Sequence, residues 1–259
     1  IVFVLCQGVV FSTQREVVAP PEKRKYPLGR QLKAMFANKP FLIAFAGQLL
    51  WGFFIHGRGS MYAYYFKYVQ GNESLMSVYN LVGLVPLVAG CYLFKALYQK
   101  DGNKGRVTAY GCIGAGAAMI LMRFTSPVAS PVPFYILCAV SKFFEGVLAS
   151  GIYSVIPDTV EYGELKTGVR NDGFLSAFIS MGNKFGIAIG SSGVAAILAA
   201  LGFQANVVQS PAVLQTINNF FTMFPGLLSV GCGVIFLFYK IDRDTFHSIL
   251  QQLEARKEG

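Results

Sequence analysis

The side chains of this chain most able to do chemistry are charges set inside or between apolar runs. Asp158 to Gly173 reads Asp-Thr-Val-Glu-Tyr-Gly-Glu-Leu-Lys-Thr-Gly-Val-Arg-Asn-Asp-Gly and concentrates local charge between two long apolar stretches. That pattern suits a gate loop between membrane helices. Eleven residues beyond Gly173 stands Lys184, which on a helix lies about 16 Å further along, near the middle of a bilayer. An ammonium at that depth is costly, so it is a functional candidate by default. Steps of three or four give Gly173, Ala177, Ser180, Lys184, Ala188, Ser191 and Ala195, a face of small and polar residues. Such a face either meets another helix closely or lines a water-filled cavity.

Two other groups lie at similar depth. Lys142 and Glu145 are spaced i, i+3 and can neutralise each other on one helix face, as a structural ion pair or with a share in coupling. His56 and Arg58 fall within the glycine-interrupted stretch Gly52 to Gly59, which is suited to bending or unwinding where it faces a cavity. On that helix Gln48, Trp51, Ile55, Arg58, Tyr62 and Tyr65 share one side. Aromatic faces with polar groups suit a pocket for a hydroxyl-rich ligand, while Tyr62 to Tyr68 equally fit an interfacial aromatic belt.

The elements that position these residues are membrane helices. The chain is 54% hydrophobic and 14% charged, outside the range of ordinary soluble domains. Apolar runs near residues 41–68, 75–97, 107–123, 134–156, 174–201 and 213–239 are each long enough to cross about 30 Å of hydrocarbon. Six spanning helices are expected. Ile1 to Phe11 is apolar but shorter, and is expected to be the end of a truncated helix over 1–12, with the chain being the C-terminal part of something larger. A basic linker over 13–40 follows, with Pro20-Pro21 resisting helix and Glu22-Lys23-Arg24-Lys25 as a solvated charge run. A six-helix bundle over 41–241 and a tail over 242–259 complete the division.

Lys and Arg set the orientation. Residues 13–40 hold seven, 98–106 three, 157–172 two and 240–259 four, while the alternate loops near 69–74, 124–133 and 202–212 hold none. The positive-inside rule makes the first set and the C-terminus cytoplasmic, in a multi-pass protein of the plasma membrane. The net charge of +9 then reflects topology and contact with anionic membrane lipid, and points away from a nucleic-acid partner. Cys6, Cys91, Cys112, Cys138 and Cys232 sit in apolar runs without paired spacing and read as small core residues. The sequence has no metal-ligand spacing, Walker loop, dinucleotide fingerprint or nucleophile elbow, so neither an enzyme nor a bound metal or cofactor is expected. Glycines such as those between Gly111 and Gly116 suit close helix packing.

These residues carry a resemblance. The string Asp158-x-x-Glu161-Tyr162-Gly163-Glu164-x-Lys166-Thr167-Gly168-x-Arg170-x-x-Gly173, with Tyr64-Tyr65-Phe66-x-Tyr68-Val69 and a basic central loop, resembles the C-terminal half of the glycoside-pentoside-hexuronide:cation symporters, the melibiose-permease-like branch of the major facilitator superfamily. The likeness runs from about Lys39 to the tail. It implies an all-α integral membrane fold: the six-helix C-terminal bundle of a carrier that has two such bundles, preceded here by the end of another helix. It further implies a sugar bound between the bundles and uptake driven by a gradient of Na⁺, H⁺ or Li⁺, the cation being co-transported. By the same resemblance Lys184 matches the family lysine of the penultimate helix, beside the sugar and cation sites, with Ser180 and Asn183 at neighbouring pocket positions. Asp158, Glu161, Glu164 and Arg170 match charges that pair across the cytoplasmic side when the carrier faces outward.

The sequence departs from the pattern at Leu97, where a glycine would lead the charged loop Asp101-Gly102-Asn103-Lys104-Gly105-Arg106. The cation-binding carboxylates of such carriers lie on the N-terminal bundle, an expected partner outside this chain. The expected substrate-binding or coupling set is Lys184, Ser180, Asn183, Arg58, Trp51 and Glu145. Two other readings stay open: a carrier of the same fold for lipid-like molecules, and a non-transporting fragment that needs its N-terminal half.

Overall fold

A computed structural model describes residues 2–13 and 26–258 of the chain. Among the described residues the regular structure is helical, apart from an isolated bridge between Asn103 and Asp242. The helices are α1 (Val2–Thr13), α2 (Leu28–Ala37), α3 (Lys39–Tyr64, continued by a π-helical turn, Tyr65–Val69), α4 (Leu75–Asp101), α5 (Lys104–Met122), α6 (Pro131–Ser154), α7 (Ile156–Thr167), α8 (Asp172–Ala200), α9 (Pro211–Phe221), α10 (Met223–Leu237) and α11 (Arg243–Glu258). Six stretches are long and apolar enough to cross a membrane: α3 with its π turn, α4, α5, α6 with α7, α8, and α9 with α10. They coincide with the six apolar runs.

Local chemistry sets the helix ends. Asn38 Oδ1 accepts from the Phe41 amide at 3.1 Å and Pro40 sits in the first turn, which starts α3. Asn103 Oδ1 does the same for Arg106 at 3.0 Å and starts α5. Gly102 (φ 80°) and Gly168 (φ 67°) take the left-handed conformation that ends α4 and α7.

The spans pack in the order α8, α3, α10, α5, α6, α4, so α8 and α4 stand at the two flanks. Glycine allows the close approaches. A Cβ on Gly52 would stand 2.6 Å from the Asn183 carbonyl oxygen, and one on Gly116 would meet the Gly226 carbonyl at 2.5 Å. The interior divides into two main clusters. One joins Met35, Phe41, Val160, Leu175, Ile249 and Leu253 at the end where α2, α7 and α11 meet the spans. The other is aromatic, with Tyr65, Phe66, Tyr79, Phe134 and Phe221 at its centre and the Tyr65 and Phe221 rings stacked 4.0 Å apart.

Several expectations are corrected. The stretch Gly52 to Gly59 does not unwind: α3 runs through it, because Gly52 and Gly57 face α8 and are filled by helix contact. Tyr65 and Phe66 are core residues, 1% and 0% exposed, so that segment is no simple interfacial belt. The charged stretch after Ile156 is mostly helix, since Pro157 in its first turn and the spacing of Val160, Gly163 and Thr167 suit one. The basic linker contains α2, whose Ala34 and Met35 are buried, and the tail forms α11, which packs Ile249 and Leu253 inward. Cys112, Cys138 and Cys232 are buried, whereas Cys6 and Cys91 are exposed. Arg15, Pro20, Pro21, Glu22, Lys23, Arg24 and Lys25 lie outside the described residues.

Candidate functional site

Helix α8 has two contrasting faces. Leu175, Ile179, Gly182, Gly186, Gly190, Val194 and Leu198 repeat every three or four residues, are buried, and lie toward α3. On the other side Gly173, Ala177, Ser180, Lys184, Ala188 and Ala195 are exposed, so the small and polar face expected from sequence is left uncovered by the described helices. Lys184 comes twelve residues after Asp172 in a helix of 29, which places it near mid-depth. Among the described residues no carboxylate pairs with it.

Asn183 is half-buried beside it and its Nδ2 donates to Gln48 Oε1 at 3.4 Å. The approach of Gly52 to the Asn183 backbone puts Trp51 at the same level. Its indole packs edge-on against Tyr153 of α6, centroids 5.7 Å apart. Both Trp51 Nε1 and Gln48 Nε2 are buried without a hydrogen-bond partner among the described protein groups. Asn183, Gln48 and Trp51 thus meet at the contact of α3 and α8 with Tyr153 beside them, while Lys184 and Ser180 lie on the exposed side of α8 away from α3.

Arg58 and Glu145 do not belong to that region. Arg58 is 1% exposed, its Nε donates to the Phe221 carbonyl at 2.9 Å, and its guanidinium lies over the rings of Tyr62, Tyr79 and Phe221. Its long stem carries the charge into the aromatic core, so the side of α3 expected to line an open pocket is packed there instead. Glu145 Oε2 pairs with Lys142 Nζ at 2.8 Å, with both side chains largely buried. His56 is exposed.

The charges after Ile156 form two sites. Gly168 turns the chain back, which brings Arg170 Nη1 2.6 Å from Glu164 Oε2 and Nη2 3.4 Å from Glu161 Oε1, with Nε 3.4 Å from Asp172 Oδ2. Glu161 and Glu164 present their carboxylates together because they are three apart on α7. Burial opposes the charge on Arg170, yet the carboxylates of Glu161 and Glu164 raise its guanidinium above the ordinary value. Asp158 stands apart and is bound by Lys104 of α5 at 2.7 Å. That ammonium also lies 5.6 Å from the Tyr98 ring and 5.3 Å from the Phe246 ring of α11. Lys104 was missed as a partner of Asp158. The available signal was the charged loop Asp101 to Arg106, whose Asp101 and Arg106 also pair, at 2.9 Å.

The sequence profile of the family described as MFS/sugar transport protein matches residues 1–243. The chain is 30% identical over 194 residues to an uncharacterized symporter of Bacillus subtilis (strain 168), covering 74% of this chain and 41% of that protein. It is 29% identical over 255 residues to a glucuronide carrier protein homolog of Escherichia coli (strain K12), covering 96% and 54%. It is also 29% identical over 238 residues to an isoprimeverose transporter of Lactiplantibacillus pentosus, covering 91% and 49%. The chain spans about half the length of these relatives. Their names are those of carriers and not of enzymes.

Proposed function

Because this membrane protein belongs to the MFS/sugar transport protein family, we propose that it works as the C-terminal part of a secondary active transporter. In this reading the carrier imports a glycoside or related sugar together with Na⁺ or H⁺ by alternating access, its two bundles rocking about a central site. The uncovered face of α8, with Lys184 at its middle and unpaired among the described residues, is the single observation that carries the reading. The names of the glucuronide carrier homolog and the isoprimeverose transporter support the sugar, and that of the symporter supports coupling.

The chemistry follows from the side chains. Lys184 brings three donors and one charge into the site, suited to sugar hydroxyls or to compensating the cation-site carboxylates of a preceding N-terminal bundle. Ser180 and Asn183 add hydrogen bonds, and the Trp51 ring offers an apolar face to a sugar. The cluster of Glu161, Glu164 and Arg170, and separately Asp158, form the cytoplasmic gate. The Arg170 pairs, partly exposed at 34% against 22% and 19%, are each worth about 0–1 kcal/mol, so they break and re-form within a cycle without trapping one state, whereas the Asp158–Lys104 pair is more buried and opens less readily. Residues 13–40 then link the bundles on the cytoplasmic side, 242–259 form a cytoplasmic tail, and the plasma membrane is the location.

Replacing Lys184 by Ala in the full-length carrier is expected to abolish gradient-driven glycoside accumulation while membrane insertion stays at the wild-type level. Wild-type accumulation by that variant contradicts the role given to Lys184.

A further inference from the structure

Helix α11 reads Arg-Asp-Thr-Phe-His-Ser-Ile-Leu-Gln-Gln-Leu-Glu-Ala-Arg-Lys-Glu, and few of its side chains face the bundle. Ile249 and Leu253 are buried and Phe246 is partly so. At its first residue the Arg243 amide donates to the Gly102 carbonyl at 2.8 Å, and Nη2 of the same arginine donates to the Gln99 carbonyl at 3.1 Å and the Tyr98 carbonyl at 3.3 Å, in the last turn of α4. At Arg256, about 20 Å further along the helix, Nη1 donates to the Leu165 carbonyl at 2.8 Å, in the last turn of α7. Each guanidinium thus meets a helix C-terminus, whose free carbonyls favour a cation. The helix runs from the turn between α4 and α5 to the end of α7, tied at both ends by exposed contacts.

Between those ties α11 meets the pair of Lys104 and Asp158. The two side chains are 2.7 Å apart and only 19% and 4% exposed, and the centre of the Phe246 ring lies 5.3 Å from the Lys104 ammonium. A pair kept from water opens less readily than the Arg170 pairs, because the separated charges find no solvent to replace each other. Part of that cover is a ring on a helix held by few apolar contacts. We propose that α11 is a strap over this pair: docked, its Phe246 ring keeps water from Lys104 and Asp158 and holds them together, and undocked, it leaves them to part as surface pairs do. Phe246 is thus a positioning residue that acts through Lys104, and its bearing on transport rests on the reading of Asp158 as part of the gate.

The test is acylation of Lys104 by a water-soluble succinimidyl ester in the purified full-length protein, quantified by mass spectrometry against the exposed Lys100 of the same protein. In the wild type Lys104 is expected to react about tenfold more slowly than Lys100, since only the locally opened state exposes a free amine. Phe246→Ala is expected to remove most of that difference, and Phe246→Tyr to keep it. Leu253→Asp shows whether the helix acts as one strap: position 253 lies about 10 Å along α11 from Phe246, so a charge there reaches Lys104 only by lifting the helix, and the same gain in Lys104 reactivity is expected. Should Leu253→Asp fail to fold, Leu253→Ala decides instead, with a smaller gain in the same direction. A wild-type Lys104 that reacts as fast as Lys100 overturns the proposal, and so does a folded Phe246→Ala or Leu253 variant in which Lys104 stays as slow as in the wild type. Labelling needs no transport, so its failure leaves the carrier reading intact, whereas wild-type accumulation by Lys184→Ala counts against that reading and leaves the strap standing.

Discussion

Lys142 and Glu145 show how a residue-scale reading is decided by its surroundings. Their spacing permitted either an ion pair or a share in coupling, and the 2.8 Å contact between largely buried groups favours the first. Removing one partner of a buried pair leaves the other charge stranded, at a cost of about 3–5 kcal/mol, whereas replacing both by apolar residues of similar size is close to neutral. Glu145→Gln is therefore expected to lower the midpoint of thermal unfolding strongly, and the double variant Lys142→Met with Glu145→Leu to restore most of it. A Glu145→Gln protein of undiminished stability that has lost only gradient-driven uptake would place Glu145 in coupling instead. Lys184 was legible from sequence because depth follows from counting residues along an apolar run. The surroundings of Arg58 were not, because its hydrogen-bond partner Phe221 is 163 positions away.

Among the elements, α3 and α8 matter most, since Trp51 and Gln48 sit on one and Lys184 and Asn183 on the other. Their spacing is set by glycine. At Gly52 a methyl group would stand 2.6 Å from the backbone oxygen of Asn183, and backbone cannot swing aside as a flexible side chain can. Gly52→Ala is expected to destabilise the protein by about 1–3 kcal/mol and to weaken apparent sugar affinity by displacing Asn183, measured by thermal unfolding and by uptake at varied substrate concentration. Unchanged stability and affinity would show that the two helices part without consequence. The spans themselves were readable from their apolar runs. Helices α2, α7 and α11 were harder to see, because polar sequences form helices there through packing at one end of the spans, with Met35, Val160, Ile249 and Leu253 in one cluster. The pairing of Lys104 with Asp158 escaped for the same reason, as it joins two turns 54 residues apart.

On the scale of the whole molecule, the flanking helices α4 and α8 are the least buried of the six spans. Helix α4 turns out Leu81, Val85 and Tyr92, and α8 turns out Met181, Phe185 and Ile189 beside its stripe of small and polar residues with one ammonium. An ammonium within such a stripe is what makes a carrier half a better reading than a passive membrane scaffold. The most direct measurement places a cysteine at position 184, Lys184→Cys, in the full-length protein with the exposed Cys6 and Cys91 replaced by Ser. A membrane-impermeant thiol reagent should modify it from the aqueous phase. A thiol at 184 that reacts only with lipid-soluble maleimides contradicts a water-filled pathway along α8.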